Sequence, residues 1–376
     1  MKTPLAWRNV TQNRVRSLIA LCGISFAILL IFMQLGFYAA TRSSATRVYE
    51  ALDFDLLLLS PQYVFVARAA QFPRNRLEQV RAIDGVASVD PVWIGLGEWR
   101  NIDTRERWNI LTIAVEPERR SFRDDAINHQ LPLLKVVDTA LSDRVSRPQH
   151  GAIDTGVFSE VQNHRVRIVG RYTIGAGFVA GATMITGRGT FMRIFPEASP
   201  DNITLGLIKL APGASSEKVA TEIRNRVWPA ATVRTRADLA SNEQRFWLQV
   251  KPIGIMFTSG VLIAFIAGAV ILYQVLASEV QNRLREYATL KALGYGNRFV
   301  YGVVVRQALI FAMLGFVPAF FFSMGLYFLL RTRALIPVEM EATRAGGVLF
   351  LTGLMCLSAT FLAIRKLRAA DPADLF

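Results

Sequence analysis

Three histidines are the residues of this chain best suited to metal chemistry, because imidazole is the commonest metal ligand in proteins. His129, His150 and His164 match no ligand pattern with one another or with the two cysteines, Cys22 and Cys356. We therefore expect the histidines at the surface or in turns, and we expect no metal site. Both cysteines fall inside apolar runs, which favours a small packing role and excludes a disulfide scaffold.

Motifs for nucleotide binding and covalent catalysis are missing from the sequence. No GxxxxGK[ST] pattern occurs, so the chain does not bind ATP by a P-loop. The run GAGFVAG (175–181) lacks the glycine spacing of a dinucleotide fingerprint, and GRGTF (187–191) and DFD (53–55) are isolated. No serine lies in a GxSxG elbow. We expect no enzyme activity, no catalytic residues and no cofactor in this chain, and the sequence does not identify a substrate.

Four long intervals without charged residues point instead to a membrane. They cover residues 17–41, 252–278, 307–330 and 345–364, in a chain that is 52% hydrophobic. Each provides the roughly 20 apolar residues that a helix needs to cross a bilayer. The competing interpretation, core helices of a soluble protein, fits less well because such helices are usually shorter and amphipathic. The first interval is too long for the apolar core of a signal peptide, so we expect an uncleaved anchor.

The distribution of basic residues predicts the orientation of these spans. Lys and Arg are more frequent in the N-terminal segment, the second loop and the C-terminal tail than on the opposite side, which places both termini in the cytoplasm. The net charge of +14 is spread along the chain, so it indicates topology and not nucleic-acid binding. The predicted segments are a cytoplasmic N-terminus (1–16), span 1 (17–41), a periplasmic α+β domain of two subdomains (42–251), span 2 (252–278), a cytoplasmic loop (279–306), span 3 (307–330), a short periplasmic loop (331–344), span 4 (345–364) and a cytoplasmic tail (365–376).

The 42–251 segment alternates helix and strand patterns. One set has a helix in RNRLEQVRAI (74–83) and strands in VASVDPVWIGL (86–96) and RWNILTIAV (107–115). A second set has a strand in NITLGLIKL (202–210), a helix capped at Ser215 and a returning strand in ATVRTR (231–236). A glycine-rich β region lies between the sets. Helical patterns at both ends predict that the domain rests on helices running directly into the membrane.

The loop between spans 2 and 3 begins as a helix that leaves the membrane. Leu276, Val280, Leu284 and Tyr287 form one stripe, and an i,i+4 pair of Glu279 with Arg283 is expected on the surface of the helix. Gly294 is a candidate helix stop, and Lys291 suits the negative end of the helix dipole. Two interpretations remain open from these features: a simple overhang held at the headgroups, or a docking element for a partner.

At this point the sequence resembles a known family. EYATLKALGY (286–295) is similar to the cytoplasmic coupling segment of FtsX/MacB-type ABC transporter permeases, and the whole chain resembles their DevC branch. Further blocks lie in the family's order: LAWRNVTQNRVRSLIALCGISFAILLIFMQLGF (5–37), YQVL (273–276), LTGLMC (351–356) and RKLRAADPADLF (365–376).

The resemblance implies a fold class, a role and partners. The fold is an α-helical membrane protein with four transmembrane helices (1 + 3) and a large MacB-like α+β extracytoplasmic domain inserted between helices 1 and 2. The role is the permease subunit of an ABC-type exporter in the bacterial inner membrane, which transmits motion from a separate ABC ATPase to the periplasmic domain. ATP and Mg would be bound by that ATPase and not by this chain. The residues implied to contact the ATPase are Glu286, Tyr287, Ala288, Thr289, Leu290, Lys291, Ala292, Leu293, Gly294 and Tyr295.

Additional partners and alternatives follow from the same resemblance. A second permease copy, a membrane fusion protein and an outer-membrane channel are expected around the chain, together with the lipid bilayer. The first alternative is an FtsX-like mechanotransmitter that regulates a periplasmic hydrolase without transport. The second is a membrane-anchored sensor or enzyme whose outer domain acts alone, and no cluster of residues in the sequence supports it.

Overall fold

The computed structural model describes residues 14–151, 153–175, 180–283, 286, 289 and 296–369. The chain forms two compact units. The helical unit contains the chain up to Ala40, Ile253–Arg333 and the chain from Val338 onwards, and the α+β unit contains Thr41–Pro252 and Ala334–Pro337.

The described helices and strands follow one another in a simple order. They are α1 (Arg14–Ser44), α2 (Arg47–Ala51), β1 (Leu56–Leu59), β2 (Phe72–Pro73), α3 (Arg76–Arg81), β3 (Val86–Arg100), β4 (Arg107–Val115), α4 (Asp125–Asn128), β5 (Thr139–Asp143), β6 (Phe158–Val161), β7 (His164–Tyr172), β8 (Ala182–Gly187), α5 (Arg188–Ile194), β9 (Asn202–Ile203), β10 (Leu205–Leu210), α6 (Ser216–Val227), β11 (Thr232–Thr235), α7 (Arg236–Arg245), α8 (Ile253–Asn282), α9 (Asn297–Arg333) and α10 (Ala342–Ala369). Short 3₁₀ turns cover Leu131–Lys135 and Pro148–His150, and a π-helical turn covers Phe246–Val250.

Helices α1, α8, α9 and α10 are each long and apolar enough to cross a membrane. They confirm the four predicted spans and their 1 + 3 arrangement around an α+β segment. Large apolar side chains cover the outside of the helical unit, as expected for surfaces that contact lipid. Phenylalanines that are more than 60% exposed are Phe321, Phe322, Phe328, Phe350 and Phe361.

Close packing holds the helical unit together from within. In α8 the buried residues Ala264, Gly268, Leu272, Leu276 and Val280 recur every fourth position and form one stripe. A Cβ atom at Gly268 would lie 2.9 Å from the Cβ of Ala27 in α1 and would overlap the sulfur of Met355 in α10. The small residue therefore allows three helices to meet at one point.

Four antiparallel strands and two helices form the first part of the α+β unit. The strands lie in the order β11-β1-β10-β3, and the chain follows the sequence β1-α3-β3, then β10-α6-β11. This is the topology of a ferredoxin-like split βαβ fold. Both helices turn apolar faces to the sheet, with Leu77 and Val80 of α3 and Ile223 and Val227 of α6 buried in one core.

The residues between β3 and β10 close a barrel. Strands β3, β4, β8, β5, β7 and β6 pair in that order, and β6 returns to the far end of β3 through the pairs Trp99↔Val161 and Arg100↔Glu160. The 15-residue length of β3 allows it to serve both the open sheet and the barrel. Trp99 is buried inside and donates its indole N–H to the carbonyl of His150 at 2.9 Å.

The predicted strands and helices of this unit are confirmed for β3, β4, β10, β11, α3 and α6. The two helix–strand sets do not form separate bodies, because their strands interleave in one sheet. His150 lies in a 3₁₀ turn, as expected for a turn residue, but it is buried and not at the surface. Burial lowers the pKa of its imidazole, whose nitrogens face the carbonyl oxygens of Asn109 and Arg147.

The prediction of helices running without a break between the domain and the spans is wrong. Ala45 and Thr46 form a turn that separates α1 from α2, and Lys251 is extended between the π-helical turn and α8. At the second site Pro252 provides the reason, because the ring of a proline disfavours helical geometry in the residue before it.

Candidate functional site

The cytoplasm-facing end predicted for α8 leads into the coupling segment, so its geometry decides how that segment is held. Leu276 and Val280 are buried here and pack in the core of the helical unit. Glu279 is also buried, with 7% of its surface exposed. A carboxylate on the packed face of an apolar helix requires a partner, because burying an unpaired charge is costly.

Arg283 provides that partner and also reaches the coupling segment. Its guanidinium lies 3.5 Å from the carboxylate of Glu279 and 3.2 Å from that of Glu286. The side chains of Glu279 and Arg283 are 10% and 13% exposed, whereas that of Glu286 is 63% exposed. One arginine thus joins a buried acid of α8 to a solvent-exposed acid of the coupling segment.

The pair of Glu279 with Arg283 exists as predicted, but the expectation of a surface position is wrong. Seven residues bring Arg283 back to within about 20° of Leu276 around the helix axis. Arg283 and Glu279 therefore share the buried face with Leu276 and Val280. A helical-wheel projection of α8 places both charged residues on its apolar face. The usual expectation that charged residues face outward conceals this position.

Only two of the ten predicted coupling residues are described. Glu286 and Thr289 are helical and exposed. The remaining predicted residues, which lie outside the described residues, are Tyr287, Ala288, Leu290, Lys291, Ala292, Leu293, Gly294 and Tyr295.

On the other side of the coupling segment, α9 begins at Asn297. The backbone N–H of Phe299 donates to the carbonyl of Gly296 at 2.9 Å, which closes the first turn. Further along α9, Val304, Ala308 and Phe311 are buried in the core of the helical unit. Gln307 is 1% exposed on the same helix, and its side-chain nitrogen has no hydrogen-bond partner among the described residues.

Within the described part of the chain, no group of His, Cys, Asp or Glu side chains could hold a metal ion. Around the end of α8 the described residues provide a chain of ion pairs on a packed helix, followed by the exposed helical residues Glu286 and Thr289. Such an arrangement can transmit a displacement, and its described residues include no nucleophile positioned beside a base.

Comparison with known proteins bears on the same region. Residues 250–372 match the family model described as FtsX-like permease C-terminal. This part of the chain is therefore similar to the C-terminal part of FtsX-like permeases. FtsX-like permeases are non-enzymatic membrane components of ABC systems, so the match supports an ABC-transporter permease-type role and implies an ABC ATPase partner. With the four apolar helices, it also supports a multi-pass membrane protein.

Solved structures that are similar to this chain include the following three domains. The periplasmic region of MacB from Actinobacillus actinomycetemcomitans is 7% identical, with a TM-score of 0.36, over 53% of this chain and 96% of that one. The extracellular domain of the noncanonic ABC-type transporter YknZ from Gram-positive bacteria is 11% identical, with a TM-score of 0.34, over 48% of this chain and 99% of that one. A domain of a putative permease protein from Porphyromonas gingivalis is 13% identical, with a TM-score of 0.29, over 49% of this chain and 87% of that one. No curated protein matches the chain.

Proposed function

We propose that this chain is the permease subunit of an ABC-type exporter in the bacterial inner membrane. It passes ATP-driven motion from a separate ATPase subunit to the α+β unit, which lies in the periplasm, while both chain termini lie in the cytoplasm. The match of residues 250–372 to the FtsX-like permease family carries this proposal. The sequence blocks shared with the DevC branch favour an exporter that works with a membrane fusion protein, an outer-membrane channel and a second permease copy.

The proposed contact with the ATPase is the segment from Glu286 to Tyr295. Arg283 fixes the root of this segment, because it pairs with Glu279 on the buried face of α8 and with Glu286 beyond it. The pair with Glu279 has little solvent around it and is weakly screened, so it resists being pulled apart. A push on the segment would therefore move α8, and would not be absorbed by a loose joint.

Packing within the helical unit supports a mechanical role. The α8 stripe is held against α1 and α10, and the core of the unit consists mainly of apolar side chains in the described residues. Carriers that couple transport to protons or ions use charged residues inside their spans. The described span centres carry no such residue, which favours movement of the periplasmic unit over passage of a solute between the helices.

The test replaces Leu290 or Gly294 with Asp in the full-length protein, expressed with its ATPase. We expect the ATPase to co-purify less or to hydrolyse ATP without export. The sequence predicts an apolar contact at Leu290 and a helix end at Gly294, and a carboxylate would disrupt either. Ala237→Asp is the matched control, since Ala237 is exposed in the first turn of α7, far from this segment in sequence. ATPase rate and export are measured in the same cells.

Unchanged export in both variants would contradict the docking role. The FtsX-like alternative, which regulates a periplasmic hydrolase, predicts a different result: deletion of the gene would alter cell-wall cutting and leave export intact. Mass spectrometry of the detergent-solubilised complex identifies the ATPase in either case.

A further inference from the structure

An open concavity of about 450 Å³ in the α+β unit concentrates positive charge. Three arginines from three different elements line it: Arg224 near the end of α6, Arg234 in β11 and Arg245 at the end of α7. Neutral hydrogen-bonding side chains complete the polar lining, namely Thr232, Ser241 and Asn242. The name "arginine pocket" refers to this concavity.

The positive charge of the three arginines is not neutralised by carboxylates in the lining of the arginine pocket. Asp238 is the one carboxylate in its described lining, and it serves the N-terminus of α7. Its carboxylate accepts from the hydroxyl of Thr235 at 2.7 Å, and Thr235 in turn accepts from the backbone N–H of Asp238 in a capping box. None of the three arginines forms an ion pair with a carboxylate of the described residues.

Arginine side chains collected in this way are suited to one type of ligand. The planar guanidinium presents several N–H donors that match the oxygens of a phosphate group. A single arginine on the edge strand β11 would be explained as a charge that prevents this edge from pairing with a strand of another chain. This explanation does not cover the other two arginines, which belong to α6 and α7, the helices before and after β11 in the chain.

The position of the arginine pocket in the chain identifies where such a phosphate would come from. Arg245 lies eight residues before Ile253, where the apolar helix α8 begins, so it is within about 28 Å of that helix even in a fully extended chain. The residues between them include a cluster of aromatic rings, with Phe246 and Trp247 packed against Phe65 at centroid distances of 4.6 and 5.5 Å. Aromatic rings next to a basic residue such as Lys251 are typical of the zone where a span meets the lipid headgroups.

Two further observations support a position of the arginine pocket near the lipid headgroups. Gln244, one residue before Arg245, accepts a hydrogen bond at 3.0 Å from Arg42, which lies at the end of the other apolar helix that enters the unit. Trp228 lies four residues after Arg224 and is 61% exposed. Tryptophan side chains of this kind are enriched at membrane–water interfaces.

We infer that the arginine pocket binds the phosphate of an anionic phospholipid headgroup from the leaflet nearest the α+β unit. This site is separate from the ATPase contact and does not depend on it. A bound headgroup would neutralise the excess charge of the arginine pocket and would hold α6, β11 and α7 at the bilayer surface.

The experiment uses the full-length protein in detergent micelles. Phosphatidylglycerol or phosphatidylcholine is titrated in, and bound lipids are counted by native mass spectrometry. The test variant is R224Q/R245Q, because both side chains are exposed and their loss does not disturb the core. The control is R105Q/R226Q, which removes the same charge from exposed positions outside the arginine pocket.

We expect the wild type to bind its first phosphatidylglycerol roughly tenfold more tightly than R224Q/R245Q, since each lost arginine removes charge-assisted hydrogen bonds to the phosphate. The control should stay within about twofold of the wild type, because its charges lie outside the site. An equal loss in the control would overturn the site and indicate general charge attraction. A parallel titration with inorganic phosphate tests the source: binding as tight as that of phosphatidylglycerol would overturn the assignment to lipid.

Discussion

At the scale of single residues, the most unusual environment in the α+β unit belongs to Glu243. This residue of α7 is fully buried, and its carboxylate accepts hydrogen bonds from the hydroxyls of Tyr49, at 3.3 Å, and Tyr63. Burial raises the pKa of Glu243 to about 7, although the tyrosine hydrogen bonds and the charge of Arg234 oppose the shift. Between about pH 5 and about pH 7 the folded protein therefore holds a proton on Glu243 that the unfolded chain releases.

The sign of the resulting pH dependence follows from proton binding. Between the ordinary pKa of 4.5 and about 7, the folded state binds more protons than the unfolded state, so stability falls as pH rises through this window. From about pH 5 to about pH 8 the loss from this group amounts to about 2 kcal/mol. We expect Glu243→Gln to remove this slope, because an amide does not titrate and can hydrogen-bond the tyrosines.

The measurement is thermal unfolding of the full-length protein in micelles, followed by tryptophan fluorescence across that pH range. Glu222→Gln, at an exposed position of α6, is the control and should unfold in parallel with the wild type. Parallel curves for Glu243→Gln and the wild type would show that Glu243 does not hold the extra proton.

At the scale of elements, the contact of α8 with α1 and α10 determines whether the helical unit moves as one piece. Gly268 lies at this contact, where a single added methyl group would meet Ala27 at 2.9 Å and overlap Met355. Interiors are packed tightly enough that an extra carbon forces backbones apart. Gly325, in α9, provides the contrast, because nothing lies within 4 Å of a Cβ built there.

Gly268→Ala should therefore destabilise the protein by roughly 1–3 kcal/mol, while Gly325→Ala should be neutral or stabilising because alanine favours helices. Thermal unfolding in the same detergent compares the two variants. If both glycines tolerate alanine equally, then α1, α8 and α10 do not meet as closely at Gly268 as described.

At the scale of the whole molecule, the open question concerns which side of the membrane each part faces. The basic residues flanking the spans favour an outside position for the α+β unit and a cytoplasmic position for the coupling segment. Thr104, in the β3–β4 hairpin, and Thr289, in the coupling segment, are both exposed and suit chemical labelling.

We expect a cysteine at Thr104 to react with a membrane-impermeant maleimide in intact cells whose outer membrane admits the reagent. A cysteine at Thr289 should react only after the inner membrane is permeabilised. Both variants are built in a background in which Cys22 and Cys356 are replaced by serine, and that background alone should not react. Labelling of Thr289→Cys in intact cells would reverse the proposed orientation.

The four spans and the main strands could be predicted because their signals are local. A charge-free interval is a property of consecutive residues, and the apolar run rich in β-branched residues in RWNILTIAV (107–115) indicates a strand without reference to any partner. The coupling segment was recognised from the short block EYATLKALGY (286–295), and its contact with an ATPase stays a prediction. The low exposure of the Arg283 side chain differs from the expectation because charge suggests an outward position, whereas helical geometry places it beside Leu276.

By itself, then, the sequence determined that this chain has four apolar helices with an α+β insertion, and that it contains sequence blocks that resemble FtsX-like permeases. Only the tertiary structure decided how the insertion folds: β6 returns to β3 to close a barrel, and two distant helix–strand sets share one sheet. It also brought Glu243 to Tyr49 and Tyr63, which are 194 and 180 positions away in the chain. Periodicity reports which face of an element is buried, but not which partner covers it, so contacts over such separations come only from the fold.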